Sequence, residues 1–421
     1  MREADEAARP DRALFGLVGR RWAVLAASTL AFAGALGFVR FGYSLVLPAM
    51  QAGLGLAAAD MGFIAGWSFA AYLACSLPAG ALATRLGMRR TIVGGLLAAA
   101  VGLALTALSR GIALATIGQV IAGGAIAAVI VPVLAISTGW FPPRFWSLAT
   151  GVVVAGGGIG FLVSGFVVPR LVVMDPAGGW RLAWFGMAAV VLAVAAVVAW
   201  LVRDPPRTVR RPPLLASLRQ VYTSGAVWQL GGVFLLYGVA YITYGTFFTA
   251  HLVGGHGLDP ILVGQLWALN GAAGIVGAPL VGAVADRLGH RPTLVLLFAL
   301  QGTSLLLLAL ATDPGWFAVS AIFYGFTVWC FAGVISAAAG AVVGPALAPA
   351  GVGLAVVLMS VGQMIGPIVG GLLAEPSGSF TRSLLVGAGV DALGLLGTLA
   401  MRMSAPRRTT AAAPAPDSAT A

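Results

Sequence analysis

The chain contains no lysine, so all 24 of its basic residues are arginines, and only 13 residues are acidic. Charged side chains make up 9% of the sequence, against about 25% in soluble domains. That scarcity excludes a water-soluble globule of 421 residues, because too few ionised groups exist to cover its surface. Cysteine is nearly absent. Cys75 and Cys330 each sit inside an apolar run, which excludes a disulfide framework and any paired-cysteine zinc motif. The three histidines, His251, His256 and His290, have no metal-ligand spacing. The glycine clusters at 156–160 and 362–371 lack the Gly-Lys-Ser/Thr ending of a phosphate-binding loop. No metal, cofactor or nucleotide chemistry is therefore expected, and no catalytic pair marks an enzyme. The net charge of +11 does not point to nucleic acid, since the arginines punctuate apolar runs and form no basic face.

Apolar residues are what the chain has instead: 60% of the total, with 59 glycines, about twice the usual share. Glycine at that level suits helices packed closely in lipid. A stretch of about 20 apolar residues spans a bilayer as a helix. Twelve such stretches are predicted, at 22–49, 60–83, 91–108, 112–137, 146–171, 180–202, 228–252, 261–284, 292–311, 315–340, 351–373 and 382–402. The expected fold is all-α: a polytopic membrane protein of 12 transmembrane helices in two pseudo-symmetric six-helix bundles. The segments are a polar N-terminus (1–21), a first bundle (22–202), a linker (203–227), a second bundle (228–402) and an Ala/Pro/Thr-rich tail (403–421) expected to be disordered. The run after Trp22 is too long for a signal-peptide core and reads as the first membrane helix.

Arginine placement sets the expected orientation. Nineteen arginines fall in the termini, the central linker and the even-numbered connections. Four, Arg110, Arg170, Arg181 and Arg382, fall on the opposite side. The bias predicts both termini and the linker in the cytoplasm, and a multi-pass protein of a bacterial inner (cytoplasmic) membrane.

The sequence also repeats itself. Residues 80–91 read GALATRLGMRRT and residues 282–293 read GAVADRLGHRPT, an offset of 202 without a gap. Gly156, Gly160 and Gly165 recur as Gly362, Gly366 and Gly371. Matched halves are expected where a site lies between two bundles that rock against each other.

The twice-present pattern Gly-x-Leu-Ala-Asp-Arg-x-Gly-Arg-Arg resembles the signature of the major facilitator superfamily, over essentially the whole chain. The resemblance implies a secondary transporter working by alternating access on a small-molecule substrate, driven by a substrate or proton gradient with a proton as a candidate co-transported ion, as a functional monomer in the lipid bilayer, with no nucleic acid. It implies gating contacts at Asp286, Arg287 and Arg291, and at Arg85 and Arg89 in the first copy, where Thr84 replaces the acid. It also implies packing and bending of the eleventh helix at Gly362, Gly366, Pro367, Gly370 and Gly371. The fifth-helix equivalent is degenerate, with Phe161 where the family pattern has proline. Gln119 stands where exporters of the family carry an arginine. Trp140-Phe-Pro-Pro-Arg144 is similar to monocarboxylate and oxalate/formate carriers.

Arg40 is the chemically informative residue. It lies about 15 Å along its helix from Met50, with an almost wholly apolar run between. A charge at that depth is costly unless it faces a cavity or a partner. A guanidinium can hold a carboxylate through two parallel hydrogen bonds. Arg40 is thus expected to clamp a small organic anion; the alternative is a side chain that snorkels to the interface. Tyr237, Tyr241 and Tyr244 share one helical face. Tyr241, Tyr244, Asn270 and Gln119 are expected to complete the site around Arg40, with Ser68 and Gln363 as further polar candidates. Asp391 is the only acid well inside a predicted span; a structural polar contact is expected there ahead of a proton-carrying role, and an Arg40–Asp391 pair is admitted by charge. Efflux of a drug-like or hydrophobic metabolite and a non-transporting membrane receptor or sensor are the competing functions.

Overall fold

The computed structural model describes residues 9–142, 145–175, 177–204, 223–343 and 348–401. Most of the linker at 203–227 and the whole tail at 403–421 lie outside the described residues, as do residues 1–8 of the N-terminal segment.

Among the described residues, twelve helices are long and apolar enough to cross a membrane. We number them α1 to α12 in chain order. The first, α1, joins an α-helix (Arg9–Ala33), a π-helical turn (Gly34–Arg40) and a second α-helix (Gly42–Leu54). Then follow α2 (Ala58–Leu86), α3 (Met88–Ala107), α4 (Ile112–Trp140), α5 (Trp146–Val173) and α6 (Gly179–Leu201). The second set comprises α7 (Gly225–Ala250, continued by the π turn His251–Gly255), α8 (Pro260–Leu288), α9 (His290–Leu310), α10 (Pro314–Val328 and Cys330–Val343, broken at Trp329), α11 (Ala348–Leu372) and α12 (Thr381–Ala400). No strand occurs among the described residues.

Two helices, α8 and α10, begin on side-chain caps. Asp259 accepts the backbone N–H groups of Ile261 and Leu262 ahead of Pro260, and Asp313 accepts that of Gly315 after Pro314. Both are capping acids followed by a proline that needs no partner for its missing N–H. The connections α2–α3 and α8–α9 turn at Gly87 and Gly289, with φ of 93° and 87°. These are equivalent positions in the repeated motif, and side chains rarely tolerate that backbone region.

Packing repeats with the sequence. In the first bundle α2 packs on α4, α3 on α4 and α6, and α1 on α5 and α6. In the second, α8 packs on α10, α9 on α10 and α12, and α7 on α11 and α12. Each pair has its counterpart six helices later. The bundles meet along two equivalent seams, α5 against α8 and α11 against α2.

Glycine makes these approaches possible. A Cβ on Gly37 of α1 would lie 2.3 Å from the Cα of Gly160, and one on Gly238 of α7 would lie 2.3 Å from the carbonyl of Met359. Across the seams, a Cβ on Gly165 would meet the Gly264 carbonyl at 2.5 Å, and one on Gly371 the Ala58 carbonyl at 2.7 Å. Each glycine run therefore serves two neighbours. Gly156 and Gly160, like Gly362 and Gly366, meet the opening helix of their own bundle, whereas Gly158 and Gly165, like Gly371, meet the other bundle.

The close seam contacts fall in the first halves of α2 and α8 and the last halves of α5 and α11, away from the two motif turns. At the motif end, Gly151, Gly282 and Gly353 have nothing within 4 Å of where a Cβ would stand.

Candidate functional site

Arg40 closes the π turn of α1. A π turn carries one extra residue, which rotates everything beyond it by about 100° relative to a regular helix. That local irregularity aims Arg40 at the junction between bundles. Its guanidinium lies over the rings of Phe69 and Tyr72 of α2, 4.5 and 4.7 Å from their centroids. Its Nη2 donates to Oε1 of Gln363, on α11 of the other bundle. The Nε2 of Gln363 donates in turn to the hydroxyl of Tyr241 on α7, at 3.2 Å. A polar chain, Arg40 to Gln363 to Tyr241, thus crosses from one bundle to the other. The Nε of Arg40 is buried with no partner. Among the described residues no carboxylate pairs with Arg40, and the ion pair found there joins Arg382 to Glu375. The Arg40–Asp391 pairing is not made.

A small cleft adjoins Arg40, lined also by Phe41, Ser68, Gln119, Gly245 and Thr246. On its far side an aromatic cluster fills the junction. Phe161 stacks on Trp267 at 4.7 Å, and Phe41 lies 4.6 Å from Phe161 and 6.2 Å from both Tyr241 and Trp267. Trp329, at the break in α10, completes it 5.4 Å from Phe161. Phe161 and Trp267 are fully buried. The departure from the family pattern at Phe161 is thus a ring wedged between the two bundles.

The structure divides the expected site. Arg40, Gln119 and Tyr241 come together. Gln119 is buried beside the cleft and donates to Thr106 at 3.2 Å. Tyr244 turns away: its hydroxyl bonds Ser320 at 3.0 Å and its ring stacks on Tyr324. Asn270 is buried where α8 meets α10, its carbonyl 2.0 Å from a Cβ built on Gly325, and neither side-chain polar atom has a partner. Of the other α7 tyrosines, Tyr237 stacks on Tyr241 at 4.9 Å but gives its hydroxyl to the Val328 carbonyl and also stacks on Phe331, so only its ring reaches the site.

Sequence reasoning passed over Phe69, Phe41 and Trp267. Phe69 and Tyr72 are three apart on α2, a spacing that puts both on one face; only knowing which helix Arg40 faces gives that spacing meaning.

The motif arginines repeat each other. Arg89 donates to the Ala199 carbonyl, and its backbone N–H to Asp204 at 2.8 Å, at the end of α6. Arg291 donates to the Thr398 and Leu399 carbonyls at the end of α12. A cation at a helix C-terminus meets unpaired carbonyls and the negative end of the dipole. In this conformation both arginines tie down their own bundle and neither reaches the other. Arg85 and Arg287 are exposed. Asp286 belongs to α8, but its side chain lies outside the described residues.

Known proteins agree with this architecture. Monocarboxylate transporter 11 of Mus musculus is 28% identical over 391 residues, covering 87% of this chain and 84% of that protein. Among solved structures, the nucleoside transporter NupG superposes with a TM-score of 0.74 at 15% identity, covering 92% of this chain and 100% of that one. A bacterial homologue of the human lysosomal transporter Spinster, in an inward-facing and unoccupied conformation, gives 0.69 at 17% identity, over 90% and 95%. The Major Facilitator Superfamily model matches residues 30–329 and 269–420. With twelve spans, two repeated bundles and that match over nearly the whole length, the chain belongs to the major facilitator superfamily of membrane transporters.

Proposed function

We propose that the protein is a secondary-active transporter that moves a small organic anion, a monocarboxylate, by alternating access between its two bundles. The observation that carries this reading is Arg40. It is a cation at membrane depth, at the junction of the bundles, held by two aromatic faces and one neutral amide and by no described acid. Aromatic faces and an amide leave a guanidinium undercompensated, and its buried Nε–H is unused. A carboxylate would supply the missing charge and take two parallel hydrogen bonds. One cation with no second beside it suits a single negative charge.

The same contacts supply a transport cycle. Entering from the motif end, the carboxylate replaces Oε1 of Gln363 on Arg40. That exchange breaks the chain from Arg40 to Tyr241 that links the bundles. The motif end then closes, and the opposite end parts along its glycine seams and the Phe41, Phe161 and Trp267 cluster. Seams built from backbone contact are two-state elements, because such packing either fits or separates. The likeness to a monocarboxylate transporter supports the cargo class, and the arginine bias supports placing the motif end in the cytoplasm.

Counterflow in proteoliposomes tests the reading. Purified protein is expected to exchange labelled pyruvate or a related monocarboxylate, and Arg40→Ala to abolish exchange while keeping its monodisperse elution. Equal exchange by Arg40→Ala would remove Arg40 from the site.

A further inference from the structure

Asp391 of α12 is fully buried against α9, and the transport cycle above leaves it unused. Nε2 of Gln301 donates to its Oδ1 at 3.3 Å. Two atoms of this pair remain buried and without partners: Oδ2 of Asp391 and Oε1 of Gln301. Both are acceptors if Asp391 is ionised, so a carboxylate here would leave two oxygens without a donor, inside a membrane and beside no described cation. Among the described residues, the titratable groups within its electrostatic reach are the hydroxyls of Tyr237 on α7 and Tyr324 on α10. Each of those already donates to a backbone carbonyl, of Val328 and Tyr241 respectively. From α9 the group that faces Asp391 is the neutral Gln301, and the other ionisable side chain of its own helix, Arg382, stands at the helix start and pairs with Glu375.

We propose that Asp391 and Gln301 form a proton-binding site in the second bundle, and that this proton is the coupling ion of the transport cycle, an inference that rests on the transport reading above. A single proton on Oδ2 converts that atom into a donor toward Oε1 of Gln301 and satisfies both orphans at once. The result is a cyclic acid–amide pair, with the amide N–H on one carboxyl oxygen and the acid O–H on the amide oxygen. A metal cation is a poorer occupant, because hard cations take about six oxygen ligands and only two unpartnered oxygens stand here. In the opposite conformation the carboxyl gives its proton to water and becomes a carboxylate that keeps the Gln301 N–H. The pair sits where motion would reach it: α12 packs on α7, which carries Tyr241 of the chain to Arg40. Protonation of Asp391 and occupation of Arg40 therefore bear on the same helix.

Asp391→Asn tests this without a packing defect, since two primary amides make the same cyclic pair. Infrared spectra of the purified protein at neutral pH should show a protonated-carboxyl stretch, shifted in heavy water, that is missing from Asp391→Asn. Identical spectra in that region would overturn the proton site. In proteoliposomes, the wild type should accumulate labelled pyruvate against its gradient when an inward proton gradient is imposed. Asp391→Asn should still exchange pyruvate but not accumulate it. Accumulation by Asp391→Asn equal to wild type, or accumulation that follows sodium and not protons, would overturn the coupling role. If the wild type moves no monocarboxylate, the cargo assignment fails, and the infrared comparison still decides whether Asp391 holds a proton.

Discussion

Gln363 offers the sharpest perturbation, because a one-atom change turns the neutral latch on Arg40 into a tethered copy of the proposed cargo. In Gln363→Glu a carboxylate stands where Oε1 now accepts from the guanidinium. Opposite charges about 4 Å apart attract by about 4 kcal/mol in surroundings of effective dielectric near 20. Burying the new carboxylate takes back part of this, although Arg40 is already partly desolvated, so the net gain is about 2 kcal/mol. Since about 1.4 kcal/mol is a factor of ten in an equilibrium, the joined state is favoured about 30-fold more than in the wild type. The assay is pyruvate counterflow with thermal unfolding of the same preparation. Exchange is expected to fall about 30-fold while the unfolding midpoint rises. Gln363→Leu should behave oppositely in stability, losing about 1–3 kcal/mol as the Tyr241 hydroxyl and the Arg40 fork lose their partner. Wild-type exchange by Gln363→Glu at an unchanged midpoint would refute both the latch and the carboxylate site.

Further outcomes follow from the packing and from the charges. Gly37→Ala and Gly238→Ala each push a methyl to 2.3 Å from backbone of a neighbouring helix, and should cost about 1–3 kcal/mol in thermal or denaturant unfolding; Gly232→Ala on α7, with open space at its Cβ, should be neutral or stabilising by up to about 1 kcal/mol. Arg40→Lys keeps the charge but loses the planar fork, so exchange should fall well below wild type while remaining above Arg40→Ala. Burial holds His256, just beyond the end of α7, below the ordinary histidine value. Its neutral form is the native one, so its contribution is constant above the ordinary value and is lost as pH falls through that value. The unfolding midpoint should drop between about pH 7 and 5, and His256→Gln should flatten the drop, because a charge there faces the Nε2 of His251 at 3.3 Å.

The number of helices, their order and the twofold repeat were legible because each rests on composition over about 20 residues and on an offset that survives small errors. The depth of Arg40 was legible for the same reason: an isolated charge inside an apolar run stands out. What it touches was not. The π turn at Gly34–Arg40 changes which way the side chain faces, and a regular 3.6-residue wheel cannot show it. Tyr244 illustrates the same limit, since its place on the Tyr241 face did not reveal that Ser320 and Tyr324 would claim it. Phe161 was visible only as a departure from a motif; its role as a wedge needed Trp267, a residue 106 positions away on the other bundle.

The central claim is that Arg40 binds the negative charge of the cargo. Equilibrium binding of labelled pyruvate to purified protein in detergent tests it most directly, because binding is read apart from folding, orientation and coupling. Saturable binding is expected in the wild type, weakened at least tenfold in Arg40→Ala and competed by other monocarboxylates more strongly than by neutral amides of the same shape. Binding of equal affinity in Arg40→Ala, or equal competition by the amides, would contradict the account.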